Sequence, residues 1–291
     1  AGLIAVRPDR RELDVLLSTG EMVSCALVAM ALQDAGYLAV SLTGLQAGIR
    51  TEEKYGKARI ADVSPYRILR EIEEGKIVVV CGFQGVTEGM DTTTLGRGGS
   101  DTTAVALAAA LQASKCEIYT DVEGIYSADP RIVAQASKLP EINYEEMLEL
   151  AQHGAKMEPR SIELGELYNV PIVVASSFGE EQGTLIHREV SMELRNRVRG
   201  VTCDLNVAKI TVRGISDRPG VAATIFEPLT TAGISVDTIV QNSSMEDLTD
   251  LSFTVTRTDL SEALEVTKHT LSDVAAQGIA SDDSLAKVSI V

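Results

Sequence analysis

Apolar positions along the first two thirds of the chain fall into short runs and helical stripes that alternate. Residues 13–18 form an apolar run that predicts a strand, 19–21 a turn and 22–33 a helix, broken at Gly36-Tyr37. A strand is expected at 38–42, an amphipathic helix at 68–74 and a buried strand at 77–80. The Ala-, Leu- and Val-rich run 104–113 predicts a helix, and 117–120 the next strand. Helices are expected at 144–151 and 161–168, with a late strand at 171–176. This alternation predicts an α/β domain with a mainly parallel sheet sandwiched by helices. Right-handed crossovers in such a sheet gather ligands at the carboxyl ends of the strands.

The pattern then changes. A polar stretch begins at 180–183 and mixed charge fills 189–199, which suggests a domain boundary near His187. Beyond it come a strand at 209–212, a turn at 215–220 and a helix at 221–232. Strands at 235–240 and 251–256, a helix at 261–278 and a strand at 286–291 complete the order βαββαβ. That order is a ferredoxin-like unit.

Composition narrows the function classes. The 291 residues suffice for one large or two smaller domains. A formal net charge of −16 argues against nucleic acid or an anionic membrane as partner, but not against ATP. Phosphates are held by local N–H groups and a few cations, whatever the global charge. The 4 cysteines, Cys25, Cys81, Cys116 and Cys203, lie in or beside apolar runs without zinc spacing and read as reduced core thiols. His153, His187 and His269 are dispersed and suggest no metal site. No signal peptide or membrane-spanning run is expected.

The densest chemistry lies in residues 92–104, Thr-Thr-Thr-Leu-Gly-Arg-Gly-Gly-Ser-Asp-Thr-Thr-Ala. A glycine-rich turn follows a predicted strand and delivers a helix, with Ser100 or Asp101 where an N-cap belongs. Free N–H groups at such a terminus suit an anion, Arg97 adds one cation, and Asp101 adds a carboxylate that can position a metal or an attacking group. An ordinary solvated loop would carry the same glycines. Neither a Walker A pattern nor a dinucleotide Gly-x-Gly-x-x-Gly is present.

Gly-Arg-Gly-Gly-Ser-Asp-Thr-Thr resembles the signature of aspartate kinases, within the amino acid kinase family. Leu17-Ser18-Thr19-Gly20-Glu21, the segment from Thr120-Asp121 through Tyr126 to Asp129-Pro130-Arg131, and Gly154-Ala155-Lys156 follow the same family pattern in order. Asp217-Arg218-Pro219-Gly220, with residues 237–242, resembles the ACT regulatory domain that follows the catalytic domain in these kinases. The resemblance implies a catalytic domain at 1–187, a linker with a stray strand at 188–208, and an ACT domain at 209–291 that ends on the start of a second repeat. It also implies a cytoplasmic enzyme, at least dimeric through its ACT units, that phosphorylates the side-chain carboxylate of L-aspartate with ATP and Mg²⁺.

Roles follow residue by residue. The resemblance assigns Glu21 to the substrate ammonium, Arg97 to a substrate carboxylate, and Ser100 and Asp101 to the transfer point. It places Thr120, Asp121, Tyr126, Asp129, Arg131 and Lys156 around ATP. Asp217, Gly220, Ala222 and Gln241 would bind a pathway amino acid, threonine or lysine, as feedback effector. Each residue also has a plain structural reading: Glu21 as a helix cap, Arg97 as a surface arginine, Tyr126 as packing, the Asp-Pro pair as a turn.

The sequence departs from the family in three places. It has no Lys-Phe-Gly-Gly-Thr-Ser-like loop, so the chain resembles the middle of an aspartate kinase, and little activity is expected of residues 1–291 alone. It stops at the expected start of a second ACT repeat. Lys156-Met157-Glu158-Pro159-Arg160 is one residue shorter than the usual Lys-x-x-His-Pro-Arg spacing. Two alternatives remain open: another amino acid kinase acting on a different acid, and an amino-acid-binding regulatory chain without turnover.

Overall fold

The computed structural model describes residues 4, 8–152, 155, 157–189, 198–216, 218–243 and 248–291. The chain divides into two units, Ala1–Val201 with Ile290–Val291, and Thr202–Ser289.

In the first unit, α1 (Arg10–Asp34) replaces the strand, turn and helix expected over 13–33. Asp9 caps it by accepting from the N–H groups of Arg11 and Glu12. The consecutive apolar residues Val15, Leu16 and Leu17 hid the helical period, and Gly20 is tolerated mid-helix at a cost of about 1 kcal/mol. The buried face of α1 is Asp14, Ser18, Cys25 and Ala29, while Leu16, Leu17, Val23 and Leu27 are exposed. By length and composition α1 could cross a membrane, contrary to the sequence expectation. In the structure it lies against strands instead and carries the buried, hydrogen-bonded Asp14.

Next come β1 (Ala39–Leu42), β2 (Ile49–Thr51), β3 (Ile60–Val63), α2 (Tyr66–Glu73), β4 (Ile77–Val80), β5 (Gln84–Val86), β6 (Thr92–Thr94) and α3 (Gly99–Ala110). They are followed by β7 (Cys116–Thr120), β8 (Glu141–Asn143), α4 (Tyr144–Gln152), α5 (Pro159–Tyr168), β9 (Ile172–Ser176) and β10 (Thr184–His187). Parallel pairs β1–β4, β7–β9 and β8–β10 carry the expected topology. β9–β10 is antiparallel, and β3-β2-β5-β6 form a mixed sheet of their own. β4 is half-buried rather than buried, because it pairs on one side only, with β1. The main core packs Val105, Ile142, Met147, Leu150, Ile162 and Ile172 between helices and sheet. Tyr144 is buried there and donates its hydroxyl to the Val170 carbonyl.

The short strands β11 (Val201–Asp204) and β16 (Lys287–Ile290) stand apart from the second unit's main sheet. That unit contains β12 (Val207–Ser216), α6 (Val221–Thr231), β13 (Ile239–Ser243), β14 (Leu248–Thr256), α7 (Leu260–Thr270) and β15 (Gly278–Asp282). The expected βαββαβ order holds, in the spatial order β13-β14-β12-β15. Its closing strand is β15, however, not residues 286–291, and its last helix ends at Thr270 rather than at 278. Ile210, Val212, Ile225, Leu229, Phe253 and Ala263 form a core of its own, with Phe226 edge-on to Phe253 at 5.3 Å.

Candidate active site

Three segments meet at the end of β4. The Cys81 thiol lies 3.7 Å from the Glu21 carbonyl of α1, and Gln84 Nε2 donates to the Ser18 carbonyl at 3.1 Å. On the other side, the Phe83 N–H donates to Thr103 Oγ1 of α3 at 3.1 Å. A Cβ on Gly82 would stand 3.3 Å from the Ser100 Cα. The 81–84 turn therefore sets Glu21 of α1 and Ser100 of α3 on its two flanks.

α3 starts earlier than the sequence suggested. Its N-cap is Gly98, left-handed at φ +66°, so Ser100 and Asp101 lie in the first turn and neither caps. Two glycines in left-handed conformations, Gly96 and Gly98, permit this start and leave Arg97 exposed between them. The N–H of Gly99 bonds to the Gly96 carbonyl at 3.1 Å. The N–H groups of Ser100 and Asp101 have no acceptor among the described residues, and no side chain caps the helix. These are the free donors an anion at a helix N-terminus requires. Burial, reinforced by the charge of Glu158, holds the Asp101 carboxyl above the ordinary aspartate range. Arg97 has no carboxylate partner among the described residues.

The turn is held from behind by contacts the sequence did not reveal. Asp14, buried on α1, accepts from the N–H groups of Gly56 and Thr94 at 2.8 Å each and from Thr94 Oγ1 at 2.7 Å. Arg160, in the first turn of α5, donates to the Leu95 carbonyl at 2.5 Å and to the Ala58 carbonyl at 3.3 Å. Its Nε lies 3.2 Å from Glu158. An acid inside the apolar run 13–18 and the irregular spacing after Lys156 were the signals that could have found them.

The expected nucleotide residues gather beyond β7. Thr120 and Asp121 end that strand, with Thr120 Oγ1 3.1 Å from the Asp121 carboxylate. Arg131 closes its fork on Asp129 at 2.7 and 3.0 Å, and the negative charge of Asp121 also acts on it. Tyr126 donates to Glu123 at 2.8 Å and bridges to Lys138, which pairs with Glu181 at 2.7 Å. Lys156 and Asp217 lie outside the described residues.

In the second unit, Gly220 is the left-handed N-cap of α6, and Ala222 and Gln241 are exposed. β14 separates β13, which carries Gln241, from β12, which leads toward Gly220 and α6. The thiols of Cys25, Cys81 and Cys116 are buried as expected, and desolvation raises Cys81 to about 12 and Cys116 to about 11. Cys203 is exposed instead. No group of His, Cys, Asp or Glu among the described residues forms a ready metal cluster.

A parallel-stranded unit with an uncapped helix terminus behind a glycine turn, joined to a ferredoxin-like unit, defines the class of amino acid kinases carrying an ACT domain. Residues 4–176 match the amino acid kinase family and residues 210–271 match an ACT domain. The chain is 52% identical to the aspartokinase of Geobacillus stearothermophilus over 99% of its own length and 70% of that protein's. It is 48% identical to aspartokinase 2 of Bacillus subtilis, of which it spans 71%. Its fold matches E. coli aspartokinase III, solved with aspartate and ADP, at a TM-score of 0.78 and 29% identity, over 99% of this chain and 65% of that one. The chain belongs to the aspartokinase family.

Proposed function

We propose that the complete protein transfers the terminal phosphoryl group of ATP to the side-chain carboxylate of L-aspartate, giving 4-phospho-L-aspartate and ADP. The observation that carries this reading is the α3 terminus: two N–H groups, at Ser100 and Asp101, without an acceptor among the described residues, behind an exposed Arg97 and across the 81–84 turn from Glu21. An aspartokinase of this fold has been solved with both aspartate and ADP.

The chemistry asks little covalent work of the protein. A carboxylate oxygen of the acceptor attacks the terminal phosphorus, a new P–O bond forms, and the bond to the departing ADP oxygen breaks. The acceptor is already an anion, so no general base is needed, in keeping with the dispersed histidines. Catalysis then rests on orientation and on neutralising charge. Glu21 binds the acceptor's ammonium, and Arg97 binds its α-carboxylate with a planar fork. The Ser100 and Asp101 N–H groups and the Ser100 hydroxyl face the transferring phosphoryl group. Thr120, Asp121, Tyr126, Asp129, Arg131 and Lys156 hold the nucleotide.

A Mg²⁺ ion would be held by Asp101, whose carboxyl has no cationic partner among the described residues and feels the negative charge of Glu158. When bound, it neutralises phosphate charge. The second unit reads as a feedback module in which Asp217, Gly220, Ala222 and Gln241 hold lysine or threonine at an interface between paired ACT units. Such pairing makes the protein at least a dimer, and its place is the cytoplasm at the head of lysine and threonine biosynthesis. E. coli aspartokinase III, solved with lysine and aspartate, has the same fold at a TM-score of 0.78.

The test traps the product. Acyl phosphates react with hydroxylamine, so full-length protein with ATP, Mg²⁺ and a panel of amino acids should form a hydroxamate with aspartate alone. ADP release without hydroxamate, or preference for another acid, removes this reading.

A further inference from the structure

The glycine turn that presents Arg97 has almost no side chains with which to hold its own shape. Gly96 and Gly98 are both left-handed, and glycine-rich backbone is the most mobile a chain can offer. Something outside the turn must fix it if Arg97 is to meet a carboxylate in one geometry.

Arg160 is placed to do so. It projects from the first turn of α5, a helix that packs on α3. One guanidinium nitrogen reaches the Leu95 carbonyl at 2.5 Å, immediately before Gly96. Another reaches the Ala58 carbonyl at 3.3 Å. Ala58 is itself tied to the turn, because its N–H donates to the Thr94 carbonyl at 3.0 Å. The Nε faces Glu158 at 3.2 Å. The Glu158 side chain in turn lies against Gly98, where an added Cβ would stand 2.6 Å from its Cβ and 2.7 Å from its Oε2. A single fork therefore grips the residue before Gly96 and, through Glu158, supports Gly98. Arg97 is the one residue between them.

We infer that Arg160 is a positioning residue for acceptor recognition, acting through the Leu95 carbonyl and Glu158 to hold the Gly96–Gly98 turn in the conformation from which Arg97 binds the acceptor's carboxylate. This rests on the proposed aspartate kinase reading. Lysine cannot replace it, because an ammonium lacks the planar fork that spans three acceptors. Of the residues assigned to ATP, Thr120, Asp121, Tyr126, Asp129 and Arg131 belong to a different loop and Lys156 alone is near in sequence, so the effect should fall mainly on the acceptor.

The test uses the full-length enzyme and measures KM for aspartate, KM for ATP, kcat and Tm. Arg160→Ala should raise the aspartate KM by about tenfold or more, with the ATP KM within about twofold of wild type. Arg160→Lys should recover only part of that loss. Glu158→Gln keeps the shape and removes the ion pair, together with the charge that Asp101 feels, so it should raise the aspartate KM by a smaller factor while the protein stays folded. That variant carries the test if Arg160→Ala does not fold. An aspartate KM within twofold of wild type in both Arg160→Lys and Glu158→Gln overturns the inference, as does an equal rise in both KM values. A wild type that makes no aspartyl hydroxamate defeats the functional reading instead, so the two failures are distinguishable.

Discussion

Asp101 carries two conflicting demands. Burial and the Glu158 charge raise its pKa, so its ionised form is disfavoured in the folded protein. The folded state therefore binds this proton more tightly than the unfolded chain does. Stability contributed by the protonated form grows as the pH falls through the raised pKa, and ionisation opposes folding above it. Asp101→Asn should accordingly raise Tm at neutral pH while lowering kcat by about 100-fold or more, a trade expected of a carboxylate kept to hold a metal ion against the phosphates. Arg97→Ala should leave Tm unchanged and raise mainly the aspartate KM. Calorimetry at pH 7 beside steady-state kinetics checks both; a less stable Asp101→Asn, or an unchanged aspartate KM for Arg97→Ala, contradicts the assignment. Glu21, Arg97, Ser100 and Asp101 stand out in the sequence because each belongs to a short contiguous motif. The long-range contacts of Asp14 and Arg160 do not. Asp14 is separated from Thr94 by 80 positions, and Arg160 from Leu95 by 65, and no local pattern reports a partner that distant.

At the scale of elements, α1 and the start of α3 show where local reading fails. The run 13–18 looks like a strand because its apolar residues are consecutive, yet Val15, Leu16 and Leu17 are exposed and Asp14 is buried. The helix forms because Asp9 caps it and because Asp14 satisfies three donors from the 56 turn and β6. α3 starts at Gly99 because Gly98 can adopt φ +66°. Gly98→Ala should therefore cost about 1–2 kcal/mol for the left-handed backbone alone, with a further loss from the collision with Glu158, and it should lower kcat/KM for aspartate. A variant as stable and active as wild type would show that the turn does not need its glycine. α2 offers a pH-dependent case. Lys76, Arg70 and Arg67 hold the Glu71 carboxyl down at about 2, against an ordinary value of 4.5. Because the folded pKa is depressed, this stabilisation is present above the unfolded value and is lost as the pH falls toward about 2. Glu71→Gln should lower Tm at pH 7, and the gap to wild type should narrow steadily below pH 4.5. A gap that is constant with pH would assign the loss to packing.

At the scale of the molecule, the two units each own a buried core, so the regulatory unit need not borrow stability from the catalytic one. Its order of elements along the chain was legible because βαββαβ follows from the alternation itself, whereas its closing strand was assigned one segment too late. Among the described residues β13 is an edge strand, paired with β14 alone, and it exposes Ile239, Val240 and Gln241. An unpaired edge with apolar side chains invites a second copy of the unit. Gly220, at the exposed N-terminus of α6, lets backbone approach a small ligand, and Gln241 can both donate to and accept from an amino acid. An effector acts only through different affinities for two arrangements of the catalytic unit. Gln241→Ala in the full-length enzyme should therefore relieve feedback inhibition and leave the uninhibited kcat unchanged. Half-inhibiting concentrations of lysine, of threonine and of the two together should rise about tenfold or more in the variant, a coupling loss of about 1.4 kcal/mol. Inhibition that is identical in wild type and variant would remove Gln241 from the effector site. A wild type insensitive to both amino acids would remove the effector assignment itself.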